Sequence, residues 1–119
     1  MYRIDISRSR SRVTLSFSGE MKQDPAAFLA ELTSAANKAK GSGDDWEMLV
    51  DFSDTPVMPQ DRAQNTSKIF EWCLGNGIRK TACVMNTLTQ RMQIQRVTKR
   101  HEKIEFFESI SAAEDWLRR

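Results

Sequence analysis

Trp46-Glu47-Met48-Leu49-Val50-Asp51-Phe52-Ser53-Asp54-Thr55-Pro56-Val57-Met58-Pro59-Gln60-Asp61-Arg62 is the segment on which the fold turns. Trp46 to Phe52 is a mostly apolar run of strand length, the pattern of a central strand covered on both faces. Ser53 to Pro59 is a loop broken by Pro56 and Pro59, since proline cannot donate to a sheet ladder. A helix is expected from about Gln60 to Leu74, with Ile69, Phe70, Cys73 and Leu74 as its buried stripe. Gly75-Asn76-Gly77 ends it. A buried strand that feeds a helix in this way is the start of a β-α-β unit and a parallel sheet.

The flanking sequence extends the pattern. Upstream, Tyr2, Ile4 and Ile6 alternate with polar residues, and so do Val13, Leu15 and Phe17. Period-2 alternation predicts two half-buried strands, joined as an antiparallel hairpin with Arg8, Arg10 and Arg12 in its loop. Asp24-Pro25 supplies an N-cap and a first helical residue. Phe28, Leu32, Ala35, Ala36 and Ala39 then share one helical face up to the stop at Gly41-Ser42-Gly43. Downstream, Thr81 to Met85 and Ile104 to Phe107 read as buried strands. A helix capped by Asn86-Thr87 and running to about Arg100 lies between them. Ser111-Ala112-Ala113-Glu114 reads as a capping box that opens a last short helix with Trp116 and Leu117. The predicted order is β-β-α-β-α-β-α-β-α, an α/β fold with a mixed, mostly parallel sheet and helices packed on it.

At 119 residues with 39% hydrophobic content, the chain is expected to form a single domain over 1–119 with one real core. Its net charge of +2 does not predict nucleic-acid binding. The charges are nonetheless segregated. Asp44, Asp45, Glu47, Asp51, Asp54 and Asp61 fall in a stretch without bases. Arg79, Lys80, Arg91, Arg96, Lys99, Arg100 and Lys103 fall in one whose single acid is Glu102. No apolar run has the length of a membrane span and the N-terminus has no leader pattern, so a cytoplasmic location is expected. Cys73 and Cys83 sit among apolar neighbours and read as buried free thiols.

Sequence motifs for catalysis are missing. Gly75-Asn76-Gly77 follows a helix, so it is a stop and not a dinucleotide turn, and no nucleophile elbow is present. His101, the sole histidine, lies among Lys99, Arg100 and Lys103, a setting that weakens a general base. No cofactor, metal site or catalytic residue is expected, and the chain is read as non-enzymatic.

The element order and the segment from Asp51 to Asp61 together resemble STAS domains, the SpoIIAA-like group that includes bacterial anti-sigma factor antagonists. Val50-Asp51-Phe52-Ser53 matches the family's hydrophobic-Asp-hydrophobic-Ser strand end, and Val57-Met58 matches its Phe-Met pair at the same spacing. The family's following Asp-Ser-Ser-Gly is here Pro59-Gln60-Asp61-Arg62, so Asp61 stands where the family has its phosphorylated serine. The resemblance implies a fold but not the phosphoacceptor. Asp61 then reads either as a helix cap or as a fixed mimic of the phosphoserine. A gapped match would bring Thr66 or Ser67 to that position, more than a turn inside the helix. The chain is most similar to the STAS/SEC14-like branch, whose members mostly have no assigned function.

The helix after Asn86 has two apolar stripes where packing on a sheet needs one. Ile94, Val97 and His101 lie on one side, and Leu88 and Met92 on the other, near Arg96 and Lys99. Either its first turn is irregular, or Met92 is exposed among bases as a docking surface.

These features give an expected regulatory or binding module that acts by protein–protein contact. Ser53, Asp54, Met58, Gln60, Asp61 and Arg62 are the first candidate contact, and Met92, Arg96 and Lys99 the second. A homodimer and an anionic membrane surface are further candidate partners. The alternative is a carrier of a small apolar or anionic, lipid-like ligand, with a pocket lined by Phe, Met and Trp at the ends of the central strands.

Overall fold

The structure is a computed structural model, and it describes residues 2–19, 24–41, 43, 45–55, 60–85, 87–98 and 101–119, with the side chains of 60–62 and 97–98 left aside. Nine elements follow one another: β1 (Tyr2–Ser7), β2 (Arg12–Ser18), α1 (Pro25–Lys40), β3 (Trp46–Asp54), α2 (Gln60–Leu74), β4 (Ile78–Val84), α3 (Leu88–Thr98), β5 (Ile104–Phe107) and α4 (Ile110–Leu117). This is the predicted order. The five strands form one sheet in the sequence order β1-β2-β3-β4-β5. β1 is antiparallel to β2, and the other three pairings are parallel.

Because each parallel crossover steps to the next strand in the same direction, right-handed connections put α1, α2 and α3 on one face. The main core lies there. Val13, Leu15 and Phe17 of β2, Met48, Val50 and Phe52 of β3, and Cys83 of β4 meet Phe28 and Leu32 of α1, Phe70 and Cys73 of α2, and Ile94 of α3. The alternate residues Leu49, Ala82 and Val84 point to the other face, where Ala113 and Leu117 of α4 cover them. This two-sided burial is why β3 and β4 read as continuous apolar runs.

Local signals explain the helix ends. Asp24 is the N-cap of α1 and accepts the Ala27 N–H at 3.2 Å, and Pro25 is its first residue. The α1 stripe is the predicted one, Phe28, Leu32, Ala35, Ala36 and Ala39. Gly77 takes φ +84° between α2 and β4, a left-handed conformation that glycine enters without a steric cost.

Two features differ from the sequence expectation. The N-cap of α4 is Ser109, which accepts the Ala112 N–H at 3.2 Å, so Ser111 lies within the first turn and the capping box does not form. Glu114 is instead drawn to Arg12 (3.3 Å) and Arg118 (3.8 Å). Arg12 itself is no member of a basic hairpin tip. Its side chain is 6% exposed, and its guanidinium pairs with Glu47, whose side chain is 5% exposed, at 2.9 Å. Arg79 holds the second Glu47 oxygen at 2.6 Å and reaches Asp45 at 3.2 Å. The register of β3 against β4 shifts between Trp46 and Glu47, leaving Arg79 as an extra residue that turns onto Glu47. Lys80 lies 4.8 Å over the Trp116 ring and donates to the Trp116 carbonyl at 3.0 Å. Of the segregated charges, Asp45, Glu47 and Arg79 are therefore paired internally at the N-terminal ends of the parallel strands.

Candidate functional site

The opposite end of the sheet carries the segment singled out by sequence. β3 pairs with β4 only as far as Asp51↔Val84, so Phe52, Ser53 and Asp54 run past the end of β4. On the other side, Ser16 pairs with Asp51 and Ser18 with Asp54, so β3 holds one residue more than β2 across this interval. That is a β-bulge, a device that re-aims side chains and ends pairing. Asp51 stabilises it: its Oδ1 accepts both the Ser53 N–H at 2.9 Å and the Ser53 hydroxyl at 2.6 Å. The Ser53 N–H, turned out of the ladder by the bulge, is thus satisfied locally. The Asp54 carbonyl accepts the Gly19 N–H at 3.0 Å, while Asp54 itself is exposed.

The strand end is fixed a second time from α3. Thr55 closes a turn onto Phe52, donating its N–H at 3.1 Å and its hydroxyl at 2.7 Å to the Phe52 carbonyl. Gln90, 6% exposed in the first turn of α3, donates its amide to the Thr55 carbonyl and lies 3.4 Å from both the Phe52 carbonyl and the Thr55 hydroxyl. Two carbonyls face this end of the side chain, so it must be the NH2 group and not the oxygen. Thr87 fixes α3 in turn, its hydroxyl accepting the Gln90 N–H at 3.2 Å. Gln90 is not among the residues expected at this site. The available signal was its position one turn before Ile94, on the buried stripe.

The predicted contact residues divide as follows. Ser53 and Asp54 lie on the bulged strand end. Gln60, Asp61 and Arg62 are the first three residues of α2, so they follow on from the same end of the sheet. Their side chains, Met58 and Lys99 lie outside the described residues. Thr66 is buried on the core side of α2 with Ala63, Phe70 and Cys73, which removes it from the reach of a kinase. Met92 and Arg96 are exposed on α3, and Ile94 is fully buried. Of the first predicted stripe, Ile94 is in the core, the side chain of Val97 lies outside the described residues, and His101 falls beyond the helix end and is half-buried. Leu88 is exposed too.

Space and chemistry bear on the other candidates. The apolar cavity under α2, lined by Phe17, Phe28, Met48, Phe52 and Phe70 among others, holds about 20 Å³. That is room for about one water and no lipid. Cys73 and Cys83 are buried free thiols, and burial pushes the Cys73 thiol up to about 12 and raises Cys83 as well. The His101 Nδ1 accepts the Lys103 N–H from its own turn at 3.2 Å. Among the described residues no group of three or more His, Cys, Asp or Glu could hold a metal ion, and no helix is long and apolar enough to cross a membrane.

No protein-family model matches the sequence, and no curated protein does. Two solved structures share the architecture. One is an uncharacterised protein of the DUF3478 family with a SpoIIAA-like fold from Shewanella loihica PV-4. It superposes with a TM-score of 0.69 at 20% identity, over 98% of this chain and 93% of that one. The other is an anti-sigma factor antagonist from Mycobacterium paratuberculosis, with a TM-score of 0.63 at 13% identity, over 100% of this chain and 96% of that one. Strand order, the three helices on one face and the match over nearly all of both chains make this chain an α/β domain of the SpoIIAA-like, STAS-type fold.

Proposed function

We propose that this chain is a non-enzymatic regulatory module of the cytoplasm that acts by contact with a protein partner, and that Ser53 to Arg62 carries the recognition. The supporting observation is the bulged end of β3. Asp51 holds it from within and Gln90 holds it from α3, which gives Ser53 and Asp54 a fixed frame. A preorganised edge of this kind loses little conformational freedom on binding. The fold is shared with an anti-sigma factor antagonist, which supports a regulatory reading by analogy. Asp61, second residue of α2, supplies a carboxyl side chain where the family places a phosphoserine. In this reading the module is held in one state and does not switch by phosphorylation.

The test is native mass spectrometry of the chain isolated from its own cells, wild type beside Asp54→Ala and Asp61→Ala. A protein complex that survives in the wild type and is lost in the variants is expected. A retained small molecule in place of a protein, or a complex indifferent to both substitutions, would overturn the proposal.

A further inference from the structure

α3 packs mainly against α2. It leaves an open groove of about 610 Å³ between itself and the edge strand β5. The groove is apolar where Ile104 and Phe106 line it. On the α3 side stand Leu88, 70% exposed, and Met92, 52% exposed, one helical turn apart and so on the same face. Large apolar side chains exposed in register beside an apolar groove mark an interaction surface.

The charged side chains that line the groove are divided between its walls. α3 contributes Arg91, whose guanidinium lies 6.0 Å from the centre of the Phe106 ring and pairs with no acid among the described residues. The segment leading into and along β5 contributes Glu102 and Glu105, both exposed, beside the half-buried His101, whose Nδ1 is taken by the Lys103 N–H. An acidic partner would be repelled by one wall and a basic partner by the other. A second copy brought in by a two-fold axis presents a basic wall to the acidic one and an acidic wall to the basic one. We propose that this groove is a two-fold interface between two copies of the chain. Leu88 and Met92 of each copy enter the groove of the other, and Arg91 of each faces Glu102 and Glu105 of the other. The contact is made by side chains and not by joining the sheets. Glu105 accepts the Phe106 N–H at 3.1 Å and so occupies a backbone donor at the edge of β5.

Sedimentation velocity and native mass spectrometry test this with charge reversals. The wild type is expected to dimerise with rising concentration, and Met92→Lys to weaken the dimer at least about tenfold. Arg91→Glu alone, and Glu102→Lys with Glu105→Lys alone, are expected to be monomeric. Mixed in equal amounts, these two proteins are expected to form a dimer with one copy of each, because both contacts regain opposite charges. Circular dichroism of each variant establishes that it is folded. A wild type that stays monomeric up to its solubility limit overturns the proposal. So does a dimer untouched by the reversals, and so does a mixture of folded variants that fails to pair.

Discussion

Gln90 is the residue on which the candidate site most depends, and its neighbourhood in sequence marks it only as lying one turn before Ile94. Its partners, Phe52 and Thr55, are 38 and 35 positions away. Only the fold brings a polar side chain of α3 onto the overhanging end of β3. Gln90→Ala leaves the Thr55 carbonyl without this donor in a buried setting and is expected to cost about 1–3 kcal/mol in urea unfolding. An unchanged midpoint would show that the strand end is held by Thr55 and Asp51 without it. Asp51 and Ser53, by contrast, stand in a recognisable strand-end motif, although the hydrogen bonds between them are seen only in the structure. The thiols were legible because apolar neighbours in sequence became apolar neighbours in space. Their burial sets a pH dependence. An unfolded thiol titrates near 9 and folded Cys73 near 12, so the folded state binds more protons in between. The stabilisation is complete below about pH 9 and is lost as pH rises towards about 12. Reaction with a thiol reagent at neutral pH should follow the unfolding rate. A fast reaction of the native protein would contradict the buried placement.

Elements were read from period and punctuation, and these signals are local, so order and type of all nine came through. What failed were assignments that rest on a competition between partners. Ser109 and Ser111 both suit a helix start, and Glu114 suits a capping box, but Arg12 competes for Glu114 from 102 positions away. No local rule weighs a cap against an ion pair closed by the tertiary fold. The same network ties β2, β3, β4 and α4 together at one end of the sheet. Removing Glu47 leaves the buried Arg12 with only the part-exposed Glu114 at 3.3 Å, a costlier outcome than never having had the pair. Glu47→Ala is therefore expected to destabilise by about 3–5 kcal/mol. The double replacement Arg12→Met with Glu47→Leu should recover most of that loss. Thermal and urea unfolding of the three variants decide the matter. A double variant no better than Glu47→Ala would mean that the network does more than neutralise itself.

The molecule as a whole is asymmetric about its sheet. One face is covered by three helices over the larger core, and the other, among the described residues, by α4, through Leu49, Ala82, Val84, Ala113 and Leu117. Cooperative units open in the order of their buried contacts, so a helix held by a small apolar cluster should open before the sheet does. The ion pair to Arg12 works against such opening, but Glu114 is about one third exposed and the bond is 3.3 Å long, which limits its contribution. Native-state hydrogen exchange is expected to show the amides of α4 exchanging by a local opening, at a lower free energy than the central amides of β3 and β4. Those central amides should exchange only with global unfolding. Substitution separates the two layers independently. Leu32, fully buried in the larger core between α1 and the sheet, should cost about 3–5 kcal/mol when replaced by alanine. Leu117, at 5% exposure in the smaller cluster, should fall near the lower end of the usual range, about 2–3 kcal/mol. Leu117→Ala should also speed exchange in α4 while leaving the Gln90–Thr55 end of the sheet protected, because that end is built on the opposite face. If α4 and the central strands exchange together in the wild type, and Leu117→Ala lowers protection everywhere equally, the two faces form one cooperative unit. The separation of layers argued from the packing would then be wrong.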